Sequence, residues 1–358
     1  MGRKIGILTG GGDAPGLNAV LRGFTRRAIN GFGWEVVGIE DSFNGLLSSP
    51  RRLQKLTLKA CVGLLPRGGT ILGTTNRGDP FAFGVKGPPK DRSEELAEAM
   101  REEDIEGLVV IGGDGTQQIA LALMDKVGIP VVGVPKTIDN DLSSTDVTFG
   151  FQSAVDVATD ALDRLHTTAA SHDRVMFLEV MGRDVGHIAL HAGLAGGADV
   201  ILIPEIPYDL ELVAAKIRQR QKSGRRHFSV IVVAEGALPT ECAAMSSKER
   251  KDRLKSGGGA AAIAMSLLEG RVDSEMRATV LGHIQRGGSP VPIDRILATR
   301  FGVAAAELVA AGRWGEMVCL KNGVVDGVSL REAAVTRGVS VEDELVRTAR
   351  AVGVEFGG

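Results

Sequence analysis

Seven consecutive residues, Pro135-Lys136-Thr137-Ile138-Asp139-Asn140-Asp141, bring an ammonium, a hydroxyl and two carboxylates together directly behind the apolar run Val131-Val132-Gly133-Val134. Carboxylates can take a proton or hold a divalent cation. A strand that ends in such a cluster delivers it to the carboxyl edge of a sheet, where open α/β folds bind their ligands. A surface turn uses the same residue types, since Asp and Asn favour turns and Pro punctuates them. On this segment alone both readings stand.

The pattern of an apolar strand followed by polar chemistry recurs along the chain. Leu108-Val109-Val110-Ile111 leads into Gly112-Gly113-Asp114-Gly115-Thr116. There glycine backbone can close on phosphate oxygens, Asp114 can hold Mg²⁺ and Thr116 can donate at a helix start. Ile5-Gly6-Ile7-Leu8 leads into Gly10-Gly11-Gly12-Asp13, a glycine turn without the full dinucleotide fingerprint. Three further strands precede Met181-Gly182-Arg183, Glu235 and Gly282-His283-Ile284-Gln285-Arg286-Gly287-Gly288. Two arginines and a histidine at strand ends suit a phosphorylated, anionic substrate, the arginines offering forked donors to phosphate oxygens. Each also has a structural alternative: an ion pair for either arginine, a hydrogen-bonded histidine, a helix-dipole partner for Glu235, a plain strand-to-helix turn for the glycines.

Such groups need a scaffold of strands alternating with helices, and the periodicity supplies one. Strands are expected at 5–8, 35–39, 108–111, 130–134, 175–180, 200–203, 228–233 and 279–281. Helices are expected from about 15 to 30, from Ser93 as N-cap to 103, from 117 to 126, from 153 to 166, up to Ala195, from 210 to 222 and from 294 to 311. The alternation implies an α/β chain with mainly parallel sheets and helices on both faces. Residues 42–89 read as irregular and rich in Gly, Thr and Pro, a length of loop that is usually functional or mobile. The charged run 246–255 reads as a solvated helix or loop, and Gly257-Gly258-Gly259 as a break or ligand loop.

The bulk numbers narrow the class. With 358 residues the chain suggests two domains, and 44% hydrophobic with 24% charged residues is ordinary for a soluble globular protein. A formal net charge of −2 gives no sign of nucleic acid or an acidic membrane surface as partner. Cys61, Cys242 and Cys319 have no metal-site spacing and are odd in number, so reduced thiols in the cytoplasm are expected. No secretory leader and no transmembrane-length apolar run is expected.

Taken together, these motifs resemble the 6-phosphofructokinase family. The resemblance runs from Gly10-Gly11-Gly12-Asp13-Ala14-Pro15-Gly16-Leu17-Asn18-Ala19 to Gly282–Asp294 and the helix beyond. Pro135–Asp141 and Gly282–Gly288 are its most specific parts; NAD kinases and lipid kinases share the glycine-aspartate logic but lack both. The resemblance implies two Rossmann-like three-layer domains. One would bind ATP, with residues 1–137 plus about 257–305. The other would bind fructose 6-phosphate, with 138–256 plus about 306–358.

By that pattern Asp139 is the base for the 1-hydroxyl of fructose 6-phosphate, Thr137 contacts the transferred phosphoryl group, and Asp141 helps hold metal and substrate. Arg183 neutralises charge on the phosphoryl oxygens, and with Met181 and Gly182 it also contacts the substrate. Glu235 accepts from sugar hydroxyls. His283 and Arg286 bind the 6-phosphate with Arg174 and Arg277, which in this family reach over from a neighbouring subunit. The protein is therefore expected to be a homo-oligomer, with a tetramer as the expected form. On the donor side Gly12, Asp114, Gly115 and Thr116 would cradle the phosphates and Mg²⁺, with Asp114 as metal ligand. Phe43 falls where the bacterial ATP enzymes place a tyrosine near adenine.

The donor itself is read from two positions. Pyrophosphate-dependent members carry aspartate where this chain has Gly115, and a carboxylate there would repel a nucleotide α-phosphate. Lys136 points the other way, since pyrophosphate-dependent members have lysine there. Some ATP-dependent members combine that glycine with that lysine, so ATP is the expected donor and pyrophosphate the alternative. A catalytic arginine of the bacterial enzymes aligns with Asn76, with Arg77 one residue later. Arg22, Arg26, Arg225, Arg226 and His166 fall near the family's effector-binding positions, where ordinary surface ion pairs are the competing reading. Two other classes compete, a catalytically silent sugar-phosphate sensor and a NAD-dependent oxidoreductase; the presence of Asp114, Asp139 and Arg183 together argues against the sensor.

Overall fold

The computed structural model describes residues 2–84, 88–222, 227–333 and 335–358. Along the chain the elements are β1 (Lys4–Thr9), α1 (Leu17–Phe32), β2 (Glu35–Ile39), α2 (Asn44–Leu47), β3 (Leu53–Leu56), α3 (Ser93–Glu102), β4 (Gly107–Gly112), α4 (Asp114–Val127), β5 (Val131–Pro135), α5 (Phe151–His172), β6 (Val175–Val180), α6 (His187–Ala195), β7 (Val200–Leu202), α7 (Leu210–Lys222), β8 (Ser229–Ala234), α8 (Ser247–Ser256), α9 (Ala260–Leu268), β9 (Met276–Val280), α10 (Pro292–Ala310), β10 (Glu316–Lys321), β11 (Val324–Ser329), α11 (Leu330–Ala333) and α12 (Glu344–Ala351). They build two sheets, of order β11-β10-β5-β4-β1-β2-β3 and β7-β8-β6-β9. All pairings are parallel except β2 with β3 and β10 with β11.

The chain divides into two compact units. The first comprises Met1–Ile138, Leu142–Gln152 and Arg286–Thr336; the second comprises Asp139–Asp141, Ser153–Gln285 and Arg337–Gly358. In the first unit the side chains of neighbouring strands alternate between two cores. Ile5, Ile7, Val109, Ile111, Val132 and Val134 pack with Leu17, Val20 and Phe24 of α1 and with Leu297, Phe301 and Ala305 of α10. Leu8, Leu108, Val110 and Val131 turn to the opposite face, against Leu96 and Met100 of α3 and Ala120 and Leu123 of α4. Both faces being covered explains why these strands read as unbroken apolar runs. In the second unit Val175, Phe177, Val200, Ile231 and Val233 form a core with Val213 and Ile217 of α7 and Ala261 and Ala264 of α9. Residues near the end of the chain run beside β7, with Ile201 N donating to Glu355 O at 2.9 Å and Glu355 N to Asp199 O at 3.1 Å.

These units revise the boundaries expected from the sequence. Residues 257–285 belong to the second unit, because α9 covers its sheet and β9 is one of its strands. Residues 306–336 belong to the first, because β10 and β11 extend the seven-stranded sheet. That hairpin is absent from the sequence reading. Its turn, Asn322 (φ 51°) and Gly323 (φ 79°), has the two positive φ angles of a type I′ connection, and Asn-Gly was the available signal. The helix beginning at residue 93 has Ser93 inside it: Asp91 Oδ1 accepts from both Ser93 N (2.9 Å) and Ser93 Oγ (2.7 Å). The charged run at 246–255 forms α8, a helix with no buried residue, opened by a capping box between Ser246 and Glu249.

Helices α1 and α10 meet along their backbones. A Cβ on Gly302 would stand 2.4 Å from Val20 O, and one on Gly23 would stand 2.7 Å from Thr299 O. Neither distance leaves room for a methyl group, so the pair depends on both glycines. Gly302→Ala is expected to destabilise the fold by about 1–3 kcal/mol in denaturant titration; unchanged stability would contradict this close approach.

Candidate active site

In the first unit β1, β4 and β5 are adjacent and parallel, so the turns that follow them come to one edge. Gly10 N donates to Ile111 O at 2.8 Å, Lys136 N to Gly112 O at 2.9 Å, and the Lys136 ammonium to Gly12 O at 2.5 Å. The glycines are there for space: a Cβ on Gly112 would lie 2.3 Å from the Thr116 side chain, and one on Gly12 would lie 2.9 Å from Arg286 Nη1. Arg286 Nη1 in turn donates to Asp13 O at 2.9 Å. The segment 135–141 is buried throughout, with Lys136 only 4% exposed. That removes the surface-turn reading, because a buried ammonium and buried carboxylates need compensating partners that a solvated turn does not.

The glycine-aspartate loop opens α4, whose N-cap is Gly113 and whose first residue is Asp114. Thr116 is buried, whereas Gly115 is exposed, and a Cβ there would meet nothing within 4 Å. Gln117, wholly buried, sends its amide to the carbonyls of Val110, Gly112 and Val134 at 3.3, 3.1 and 2.9 Å, tying the ends of β4 and β5 together. Thr137 O accepts from Thr148 Oγ1 at 2.8 Å. Asn76 and Arg77 are both exposed, on the segment whose Thr75 O accepts from Gly11 N. Phe43 departs from its expected place: its ring is fully buried with Leu8, Ile39 and Leu46, so no ring face is offered for stacking. Apolar packing under β1 and β2 has taken the aromatic side chain.

The chain passes from the first unit to the second between Ile138 and Asp139. In the second unit Asp141 O accepts from Arg337 N at 2.7 Å and Asn140 O from Arg337 Nη2 at 3.4 Å, with Asn140 at φ 54°. Met181-Gly182-Arg183 leaves the end of β6 as a tight loop with Gly182 at φ 151° and Arg183 at φ 56°. Met181 N donates to Gln285 Oε1 at 2.7 Å, and Gly182 N and Arg183 N donate to Glu235 Oε1 at 3.4 and 2.7 Å. A Cβ on Gly236 would lie 2.3 Å from Arg183 O, so the loop packs directly on the end of β8. The guanidinium of Arg183 is exposed, 3.7 Å from Asp184. His283 is exposed on the short 3₁₀ turn 282–286, while Gln285 between the two basic residues is wholly buried.

Arg174 and Arg277 converge on Glu275, Arg174 Nε at 2.6 Å, beside the exposed strand β9. Glu179, one of the buried carboxylates the sequence did not single out, accepts from Ala261 N at 2.8 Å. Burial pushes its carboxyl up from the usual range. A Cβ on Gly259 would lie 2.8 Å from Glu179 Oε2, and Gly259 sits at φ 108°, so the glycine run 257–259 seats α9 on that carboxylate. Of the effector-like residues, Arg22 and Arg26 line a surface cavity of about 330 Å³ with Arg27, Asn30, Thr299 and Val303. His166 Nε2 donates to Gly196 O at 2.7 Å. Arg225 and Arg226 lie outside the described residues.

Among the described residues no three His, Cys, Asp or Glu side chains converge on a metal position. Mg²⁺ is typically held by one or two carboxylates together with phosphate oxygens and water. Asp114, half-buried beside the open Gly115, fits that pattern. Among the described residues no helix is long and apolar enough to cross a membrane.

Residues 4–309 match the family model described as Phosphofructokinase. The chain is 53% identical to the "ATP-dependent 6-phosphofructokinase" of Chloroflexus aurantiacus, covering 99% of this chain and 98% of that one. It is 47% identical to the "ATP-dependent 6-phosphofructokinase 1" of Synechocystis, over 99% and 98%. In structure it resembles the phosphofructokinase of Saccharomyces cerevisiae, with a TM-score of 0.77 and 31% identity over 93% of this chain and 45% of the yeast one. The pyrophosphate-dependent phosphofructokinase of Nitrosospira multiformis, 22% identical, shares the fold at a TM-score of 0.82, over 99% of this chain and 92% of that one. The chain belongs to the phosphofructokinase family. Its relatives at about half identity are the ATP-dependent phosphotransferases of that family.

One titratable group behind the Arg183 loop bears on stability. His187 opens α6, and its Nε2 donates to Arg337 O at 3.2 Å. Burial lowers its pKa from 6.5 to about 4. Above pH 6.5 it is neutral in folded and unfolded chains alike; below that the unfolded chain takes up the proton first. Stability is therefore expected to fall between about pH 6.5 and about 4, by up to roughly 3 kcal/mol from this residue. Denaturation of His187→Gln across that range should lose this component, and an identical pH slope in the variant would contradict it.

Proposed function

We infer that this chain is an ATP-dependent 6-phosphofructokinase. It transfers the terminal phosphoryl group of ATP to the 1-hydroxyl of fructose 6-phosphate, giving fructose 1,6-bisphosphate in glycolysis in the cytoplasm. The observation that carries the donor assignment is Gly115, exposed at the start of α4 with open space where a side chain would begin. A nucleotide α-phosphate has room there. Lys136, the residue that favours pyrophosphate, has a task independent of the donor, since its ammonium holds the Gly12 carbonyl.

Asp139 takes the proton of the 1-hydroxyl as that oxygen bonds to the terminal phosphorus and the bond from that phosphorus to the bridging oxygen breaks, ADP leaving, and Asp141 supports it. Phosphoryl transfer asks the protein mainly for positioning and for charge placed where the transition state develops it. Thr137 and Arg183 supply donors to the phosphoryl oxygens. Glu235 uses one carboxylate oxygen to fix Gly182 N and Arg183 N, which leaves the other for sugar hydroxyls. His283 and Arg286 bind the 6-phosphate. Bound through Asp114, Mg²⁺ would neutralise charge on the donor phosphates. Gly12, Gly115, Thr116, Asn76 and Arg77 line the donor side.

Arg174 and Arg277 serve the sugar phosphate of a neighbouring subunit in a homotetramer. Their place on the exposed β9 side, with Val280 and Ile284 more than half exposed, supports that reading. A sedimentation experiment giving only monomer would overturn it.

With Mg²⁺ and fructose 6-phosphate, product is expected from ATP and not from pyrophosphate; turnover with pyrophosphate alone would sink the assignment. Because a Cβ at position 115 would meet nothing within 4 Å, Gly115→Asp should fold normally. It should lose at least about tenfold in kcat/KM for ATP through repulsion of the nucleotide. Asp139→Ser should lower turnover by roughly 10²–10⁴-fold while leaving fructose 6-phosphate binding measurable by calorimetry; near-normal turnover would remove Asp139 from its role as base.

A further inference from the structure

The loop 181–183 presents three successive backbone N–H groups, and each is received by a side-chain oxygen. Glu235 takes the second and third. Gln285 takes the first through Oε1 at 2.7 Å, and its Nε2 donates to Ala154 O in the first turn of α5 at 3.3 Å. The Gln285 side chain is wholly buried, so each of its polar groups depends on protein partners. It therefore joins the loop that carries Arg183 to α5 and to the turn that carries His283.

We propose that Gln285 is a positioning residue for phosphoryl transfer, fixing through the Met181 N–H the loop from which Arg183 reaches the transferred group. Arg183 sits at φ 56° directly after Gly182 at φ 151°, a backbone path that a non-glycine residue adopts only when its surroundings hold it. Without Gln285 the Met181 N–H loses its acceptor at the entry to the loop, which Glu235 and the bond from Val185 N to Gly182 O (3.0 Å) then hold only further along, so a relaxed conformation opens to it. Arg183 then leaves its place. The inference rests on the phosphofructokinase reading above and deepens it.

Two variants test it, each measured against the parent chain with fructose 6-phosphate, ATP and Mg²⁺. Gln285→Met keeps the volume and removes both hydrogen bonds. It should lower kcat by about 10- to 100-fold, since displacement of a catalytic group by about 1 Å costs rates of that order. The KM for fructose 6-phosphate should rise several-fold, with the KM for ATP within about twofold. Gln285→Glu keeps the acceptor for Met181 N, but has a donor for Ala154 O only when protonated. Burial raises the pKa of such a carboxyl. The activity of Gln285→Glu relative to the parent should therefore climb as pH falls from about 8.5 to about 6.5.

A kcat and KM for Gln285→Met within about twofold of the parent would overturn the proposal, as would a flat activity ratio for Gln285→Glu across that pH range. If Gln285→Met does not fold, the pH profile of Gln285→Glu decides alone. A parent inactive with ATP and fructose 6-phosphate would sink the underlying reading, whereas an active parent with unaffected variants sinks the positioning role only.

Discussion

The Lys136 ammonium, buried at the end of β5, donates to the carbonyl of Gly12 in the turn after β1. A charge removed from water is tolerable only when dipoles or counter-charges replace its hydration. The Gly12 carbonyl is one such partner, so the position of the glycine turn and the position of the lysine are set by each other. Parallel pairing of β1, β4 and β5 places their ends at one edge. Glycines at 10 and 112 then admit the Thr116 side chain to distances that a Cβ would block, while at Gly12 the Arg286 guanidinium comes within 2.9 Å of where a Cβ would stand. In the first unit the buried cation, the small residues around it and the three carbonyl bonds of Gln117 together hold the loop cluster.

A similar economy operates in the second unit through carboxylates and amides. Glu235 and Gln285 hold the three N–H groups of residues 181–183, while Glu179 receives the backbone at the start of α9. In the first unit Gln117 does comparable work with three carbonyls. Amides suit such places because they can donate and accept without the desolvation cost of a charge. Arg183, in the left-handed region, stands in the loop held this way, whereas the left-handed Asn140 lies in a segment whose carbonyls accept from Arg337. Strain of that kind persists where neighbouring hydrogen bonds over-determine the backbone, and it fixes side-chain direction more tightly than a relaxed loop would.

Much of the scaffold was legible because parallel strands covered on both faces leave unbroken apolar runs, as at 108–111 and 175–180. The hairpin at 316–329 was not, since β10 has only four consecutive apolar residues between Glu316 and Lys321, and β11 is interrupted by Asp326 and Gly327. The unit boundaries were not legible either, because the chain crosses between units several times and strand order is a long-range property. Motifs singled out Lys136, Asp139, Arg183 and His283 as candidates by type and spacing. They gave no hint that Gln285, lying between His283 and Arg286, turns inward, or that Phe43 is consumed by the core. Both facts depend on what packs above the residue, which spacing does not encode.

The placement of Gly115 and Lys136 separates two questions that the sequence joins. Read as a pair of donor-determining letters, they conflict. In space they differ in kind: position 115 is exposed and faces open volume, whereas position 136 is buried and engaged with the protein's own backbone. A residue bordering open volume can discriminate ligands by what it excludes, at little cost to the fold. A buried cation cannot be exchanged so freely, because its loss leaves the Gly12 carbonyl without that donor and alters the turn itself. Position 115 is therefore the place where a change of side chain can be made at little cost to the fold, whereas the lysine at 136 is tied to the glycine turn through its ammonium.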